Sequence, residues 1–95
     1  MPAPVINKRF TITTTSWTPI TVPRSCTQIH LQNEDGTNTV AMRTDPNDSE
    51  TERSLYALQN FTFGSAMDGA FEPGMVVVYV QASSGIGPVV ATYVR

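Results

Sequence analysis

The feature that most constrains this sequence is the spacing of its apolar residues, which alternate with polar ones and never keep a helical period for ten residues. In RFTITTTSW, Phe10 and Ile12 alternate with threonines, and in CTQIHLQN, Ile29 and Leu31 alternate with polar side chains. A period of two is typical of half-buried strands. Seven or eight such segments, separated by turn signals, predict an all-β fold. We expect a single antiparallel β-sandwich, jelly-roll-like, with an extended N-terminal arm.

Prolines and glycines divide the chain further. Pro19 and Pro23 bracket TPITVP, and because proline cannot donate to a ladder, this segment is predicted to be an edge strand. Asp35-Gly36 is a hairpin signal. Pro2 and Pro4 favour an extended chain, so residues 1–8 are interpreted as an arm and residues 9–95 as the sandwich domain.

Composition excludes several classes of function. Charged residues make up 15% of the 95-residue chain, against about 25% in typical globular domains, which suits a protein that lies against other protein. The net charge of −2 leaves no basic patch for nucleic acid. The longest apolar run, from Met75 to Val80, is too short for a membrane helix, and the N-terminus lacks a signal sequence. We therefore expect no nucleic-acid or membrane partner, and synthesis in a cytosol as a soluble protein.

No arrangement of residues predicts catalysis. Cys26 and His30 lie four positions apart on one strand, about 13 Å, which is too far for a nucleophile and its base. The acidic loop after Arg43 has Glu50 and Tyr56 where a calcium-binding EF-hand needs glycine and glutamate. Cys26 is the single cysteine and is expected to be buried. We predict no catalytic residue, no cofactor and no metal site.

The last 22 residues, GMVVVYVQASSGIGPVVATYVR, are interpreted as a hairpin whose strands are apolar on both faces. In that pairing the β-branched face, suited to the core, holds Val76, Val78, Val80, Val90, Thr92 and Val94. The opposite face holds Met75, Val77, Tyr79, Val89, Ala91 and Tyr93, with Arg95 at its end. A monomer rarely exposes such a patch, so either another part of the chain or a second subunit covers it. We expect a second subunit, and hence a homo-oligomer.

The arm offers a second predicted contact. Val5 and Ile6 are apolar, and Lys8 adds a positive charge at the root of the segment. The segment is expected to lie across a neighbouring subunit, adding to a sheet edge. A frayed terminus is the alternative.

The layout TPITVPRSCTQIHLQN, an aromatic-bearing middle strand, and then FEPGMVVVYVQASSGIGPVVATYV resembles the small β-sandwich virion proteins of tailed bacteriophages, in particular the head decoration, or cement, proteins. The resemblance runs from Trp17 to the C-terminus. It implies a jelly-roll-like sandwich, assembly as a dimer or trimer, no catalysis, and the major capsid protein as partner. Such a protein is made in the host cytoplasm, binds the outer capsid surface and bridges neighbouring capsomers. In that setting the capsid surface is the alternative to a neighbouring subunit as the support for residues 1–8.

Two other functions stay open. Trp17 and the tyrosines could form a stacking platform for sugars, as in a carbohydrate-binding or receptor-binding module of a head fibre or tail. A small domain with an unrecognised enzymatic site is the third. The full set of predicted interface residues is Pro2, Pro4, Val5, Ile6, Lys8, Trp17, Met75, Val77, Tyr79, Ala91, Tyr93 and Arg95.

Overall fold

Short strands rich in threonine and valine build the molecule. The computed structural model describes residues 5–64, 71–83 and 87–94. Within these ranges there are eight strands and one 3₁₀ turn, at Ser49–Thr51. The strands are β1 Val5–Ile12, β2 Thr18–Thr21, β3 Gln28–Asn33, β4 Val40–Arg43, β5 Arg53–Leu55, β6 Asn60–Gly64, β7 Val76–Ala82 and β8 Gly87–Val94.

The strands form two four-stranded antiparallel sheets. The first sheet has the order β1-β8-β3-β6 and the second has the order β2-β7-β4-β5. This order is that of a jelly roll, in which consecutive strands alternate between the sheets except at one pair. The predicted β-sandwich is confirmed, and β2, which carries Pro19, lies at a sheet edge as predicted.

The core lies between the sheets and takes one row of side chains from each strand. The first sheet contributes Ile12, Ile29, Leu31, Val89, Ala91 and Tyr93, and the second contributes Ile20, Val40, Met42, Leu55, Val78, Val80 and Ala82. Cys26 is also buried, as the sequence predicted, and forms an isolated bridge to Phe71. Burial raises the pKa of its thiol, although nearby Arg24 opposes the shift.

The predicted hairpin of β7 and β8 is wrong. β7 lies between β2 and β4 in the second sheet, whereas β8 lies between β1 and β3 in the first. Because the two strands face each other across the core, both send a row of apolar side chains inward. The inward row of β7 was predicted correctly, but that of β8 is Val89, Ala91 and Tyr93 rather than Val90, Thr92 and Val94. The outward rows, among them Val77 and Tyr79 on β7 and Val90 and Val94 on β8, are half-buried and lie on opposite sides of the sandwich, so they do not form the single apolar face that was predicted to bind a second subunit.

The predicted arm is also wrong for residues 5–8. These residues belong to β1, which pairs with β8 along its whole length, from Val5 opposite Val94 to Ile12 opposite Gly87. The apolar residue Ile6 packs against the core of its own chain. Residues 5–8 do pair with a strand, but that strand is β8 of the same chain and not the sheet edge of another molecule that was predicted.

Asp35-Gly36 does not close a hairpin either, because β3 and β4 lie in different sheets. The turn instead carries the chain from one sheet to the other. Its geometry is fixed by the Asp35 carboxylate, whose Oδ1 accepts hydrogen bonds from the backbone N–H groups of Thr37 (2.8 Å) and Asn38 (3.1 Å). These bonds, that of Thr37 first, hold the pKa of Asp35 below its usual value of 3.8.

Candidate interaction sites

Loops from both sheets meet at one end of the sandwich, which we call the loop end. They are the connections at residues 13–17, 34–39 and 56–59, together with Ser83. Backbone hydrogen bonds join them: Leu58 N–H donates to the Asp35 carbonyl (3.2 Å), and Ser83 N–H donates to the Thr39 carbonyl (3.0 Å). The loop end is therefore a connected surface rather than a set of independent loops.

Asn33 lies beneath the loop end and connects its loops. Its side chain is fully buried, and Nδ2 donates to the carbonyls of Asn38 (2.8 Å), Leu55 (3.1 Å) and Tyr56 (3.3 Å). Its Oδ1 accepts from the Asp35 N–H at 2.9 Å. A buried amide normally finds such partners, because an unpaired polar group in the core is costly. One side chain thus fixes the 34–39 loop against the 56–59 loop.

The second of these loops displays two large apolar side chains. Tyr56 and Leu58 are each 62% exposed. The turn they share is closed from both sides, since Gln59 N–H donates to the Tyr56 carbonyl and Tyr56 N–H donates to Gln59 Oε1, each at 3.0 Å. We call residues 56–59 the Tyr56 turn. It offers an aromatic and an aliphatic side chain on a fixed backbone.

The backbone of the Tyr56 turn is strained at Leu58, whose φ is 60°. The left-handed region costs a residue with a Cβ about 1 kcal/mol and is ordinarily left to glycine or asparagine. The turn Glu72–Met75 of the same chain has the same backbone hydrogen bond, from its fourth residue to its first. There the third residue, which corresponds to Leu58, is Gly74, with a φ of 87°. Leucine at this position has a conformational cost, and at 62% exposure it gains little burial in the chain to offset that cost.

Two further apolar side chains are exposed at the opposite end of the sandwich. Val5 begins β1 and is 42% exposed, and Met75 directly precedes β7 and is 43% exposed. β1 and β7 both finish at the loop end, where Ala82 N–H donates to the Thr13 carbonyl at 3.0 Å. Exposed apolar side chains therefore lie at both ends of the molecule. Val5 and Met75 were both predicted to be interface residues.

The outer face of the second sheet carries the predicted residues Trp17 and Tyr79. Tyr79 is opposite Arg43 in the ladder and points away from the core. The Arg43 guanidinium lies 4.7 Å from the centre of the Trp17 ring, pairs with Glu52 at 2.8 Å and donates to the Pro46 carbonyl at 2.9 Å. Arg43 thereby covers one face of the tryptophan and fixes its orientation.

The remaining predicted interface residues have other roles. Tyr93 and Ala91 are buried in the core, so their prediction as contact residues is wrong. The Tyr93 hydroxyl donates to the Thr21 carbonyl at 2.9 Å. Ile6 and Val77 are partly buried against the core, and Lys8 Nζ lies 5.2 Å from the centre of the Phe10 ring. The last three, Pro2, Pro4 and Arg95, lie outside the described residues.

The residues that were considered for catalysis and for metal binding do not form a common site. Cys26 is in the core, whereas His30 lies on the outer face of the first sheet, where its Nδ1 is 2.8 Å from the Thr62 hydroxyl. In the acidic loop, Asp45 and Asp48 accept hydrogen bonds from nearby backbone N–H groups. Among the residues that the structure describes, no group of three or more histidine, cysteine or acidic side chains is placed to hold a metal ion. The same residues contain no helix capable of spanning a membrane.

Sequence reasoning missed the loop end altogether. Tyr56 and Leu58 are spaced like strand or helix residues, and the sequence around them contains no glycine or proline to mark a turn. Asn33 is one of several polar residues in a turn-rich stretch. Its burial depends on contacts with residues about 20 positions away, which a local pattern cannot reveal.

Comparison of the chain with protein-family models, with curated protein sequences and with solved structures finds no match in any of the three.

Proposed function

We propose that this chain is a structural protein that attaches to an assembled protein shell through apolar side chains at its ends. We further propose that the shell is a bacteriophage capsid, which the chain decorates from outside. The observation that carries the proposal is the Tyr56 turn, where two large apolar side chains are 62% exposed on a fixed and strained backbone. Aromatic side chains are frequent anchors of protein interfaces.

The rigidity of the turn supports binding. A loop that is ordered before it binds loses little conformational freedom on binding, so more of its contact energy appears as affinity. The hydrogen bonds from Asn33 and Gln59 provide that order. The exposed side chains of Tyr56 and Leu58 would then insert into apolar pockets of the partner.

The placement of Val5 and Met75 supports bridging. A protein that joins neighbouring capsomers needs at least two attachment points, and this chain displays apolar side chains at opposite ends. Binding to the assembled shell and not to free coat protein stabilises the shell by mass action. The major capsid protein is the proposed partner, and the capsid surface is the proposed location after synthesis in the host cytoplasm.

The fold is compatible with this function and does not select it. Jelly rolls occur in capsid proteins and in lectins alike. The low fraction of charged residues, 15%, favours a surface that lies against protein. The proposed dimer or trimer rests on the resemblance alone, because the hairpin face that also suggested a second subunit does not exist in the structure.

A carbohydrate-binding module is the second candidate. Trp17 and Tyr79 share the outer side of the second sheet with Arg43, and such a combination can stack on a sugar ring and bond its hydroxyls. Arg43 already covers one face of Trp17, however, and Tyr93 is in the core. Tyr56 follows β5, at the opposite edge of the second sheet from β2 and Trp17, so the four predicted aromatic side chains are reduced to two on this face.

Mass spectrometry of density-gradient-purified phage particles from the source culture tests the capsid setting. We expect the chain in the particle fraction in a fixed ratio to the major capsid protein. Absence from every particle fraction, with the protein present in the lysate, contradicts the setting. A glycan array probed with purified chain tests the second candidate, which is supported if signal is lost in Trp17→Ala and kept in Tyr56→Ser.

A further inference from the structure

A cavity of about 250 Å³, open to solvent on one side, lies between the two sheets where β5 and β6 form the sheet edges. Met42 and Val78 line it from the second sheet, and Phe61 and Phe63 line it from the first. The two phenylalanines are opposite the buried residues Leu31 and Ile29 in the ladder, so they point between the sheets. Both nevertheless remain partly exposed, because the cavity takes the place of the atoms that would cover them.

The walls of this cavity suit an apolar ligand. The rings of Phe61 and Phe63 have centres 4.9 Å apart and are tilted by 56°, which leaves an angled aromatic surface. The Met42 thioether beside them adapts readily to the shape of a ligand. An engineered apolar cavity of about 150 Å³ binds benzene, so 250 Å³ is enough for a single ring with a short side chain.

One cation stands at the edge of the cavity. Arg53 is opposite Met42 in the ladder and two residues from buried Leu55 on the same face, so it points between the sheets from the edge strand β5. Its guanidinium lies 5.8 Å from the centre of the Phe61 ring. The described ion pairs use Arg9 and Arg43, and in the described part of the chain Arg53 has no acidic partner.

We propose that this cavity binds a small carboxylate with an apolar body, of the size of an arylacetate. The ring enters between Phe61, Phe63, Met42 and Val78, and the carboxylate remains at the mouth with the Arg53 guanidinium. A planar guanidinium offers a carboxylate two parallel hydrogen bonds, which fixes the orientation of the ligand. Burial of the ring supplies most of the affinity, and Arg53 selects the anion over its neutral analogue.

Titration with phenylacetate, followed by ¹H–¹³C NMR of the methyl groups and ¹H–¹⁵N NMR of the backbone, tests the proposal. We expect saturable shifts at Met42, Val78, Phe61 and Phe63. Phenylacetamide, which has the same shape without the charge, should bind about fivefold more weakly, as expected for the loss of an exposed ion pair. Absence of shifts at these residues at millimolar phenylacetate would overturn the site.

A matched pair of variants tests the role of Arg53. Arg53→Met should weaken phenylacetate binding about fivefold and leave phenylacetamide binding unchanged. The control is Lys8→Met, since Lys8 is also a cation on an edge strand above a phenylalanine ring but does not line the cavity. Equal affinity of wild type and Arg53→Met for phenylacetate would overturn the assigned ligand class. The titration involves no capsid, so its outcome is independent of the proposed function.

Discussion

At the scale of single residues, Asn33 and Tyr93 show how polar groups fix the interior of this sandwich. Asn33 joins two loops through a fully buried amide, which donates three hydrogen bonds and accepts one. Tyr93 spans the core from the first sheet to the Thr21 carbonyl in the second. Both residues carry bonds that no apolar side chain could replace, so substitution at either site has a defined cost.

Asn33→Ala is expected to lower the free energy of unfolding by about 3 kcal/mol, because the Leu55 and Asn38 carbonyls lose the hydrogen bonds that Asn33 donates and the Asp35 N–H loses its acceptor. Urea denaturation followed by circular dichroism measures the change. Asn60→Ala is the control, since Asn60 is exposed on β6 and should change stability by no more than about 0.5 kcal/mol. Equal stability of the two variants would show that Asn33 does not hold the loop end together.

Ionisation of the Tyr93 hydroxyl is expected to destabilise the folded protein in alkali. Burial raises the pKa of its hydroxyl to about 12, with a smaller contribution from Cys26. Since the folded state keeps the proton when the unfolded state has lost it, the stabilisation is complete below pH 10 and falls as the pH rises from 10 to 12. Tyr93→Phe removes this dependence of stability on pH. It also removes the hydrogen bond to the Thr21 carbonyl, which should lower the free energy of unfolding at neutral pH by about 1 kcal/mol.

The difference in urea midpoint between wild type and Tyr93→Phe should therefore shrink as the pH is raised above 10. Measurements at pH 7, 9, 10 and 11 decide the point. A difference that stays constant over this range would mean that the Tyr93 hydroxyl does not titrate as a buried group.

At the scale of elements, β1 is an integral strand of the first sheet. It pairs with β8 from Val5 to Ile12, and its residues alternate between the core and the outside. Ile6 and Val5 are adjacent in sequence and lie on opposite faces, which makes them a matched pair for testing the strand.

Ile6→Ala is expected to lower the free energy of unfolding by about 2 kcal/mol, because Ile6 packs against the core. Val5→Ala should change it by no more than about 0.5 kcal/mol, since Val5 is 42% exposed. Chemical denaturation of the two variants gives both values. If neither variant were destabilised, residues 5–8 would be a loose arm as the prolines suggest, and the strand assignment would be wrong.

The sequence predicted strands better than it predicted their arrangement. A period of two identifies a strand such as β3, and Pro19 correctly marked an edge. Sheet membership was missed because a short turn can close a hairpin or cross between sheets. In β7 and β8 both faces are apolar, so the pattern could not show which row of β8 faces inward. The exposure of Leu58 was equally hidden, because its turn depends on the distant Asn33.

At the scale of the whole molecule, the jelly roll holds apolar side chains at its two ends. The Tyr56 turn is at the loop end, and Val5 and Met75 are at the other. The sandwich keeps the two groups apart, because strands with a continuous core between them run from one end to the other. A decoration protein that bridges capsomers requires this arrangement of two separated contacts.

The substitution Leu58→Asn is expected to weaken binding without weakening the fold. Asparagine tolerates the left-handed backbone at φ 60°, so the variant should unfold at the same temperature as wild type or higher. It also removes an exposed apolar side chain from the proposed contact. Val90→Thr, a change of similar polarity on the outer face of the first sheet, is the control.

The most direct measurement is cosedimentation of purified chain with phage shells from which the endogenous copies have been stripped, at several protein concentrations. We expect wild type and Val90→Thr to attach with equal affinity, and Leu58→Asn to attach at least about tenfold more weakly. Attachment of Leu58→Asn equal to that of wild type, with its melting temperature unchanged, would contradict the claim that the Tyr56 turn binds the shell.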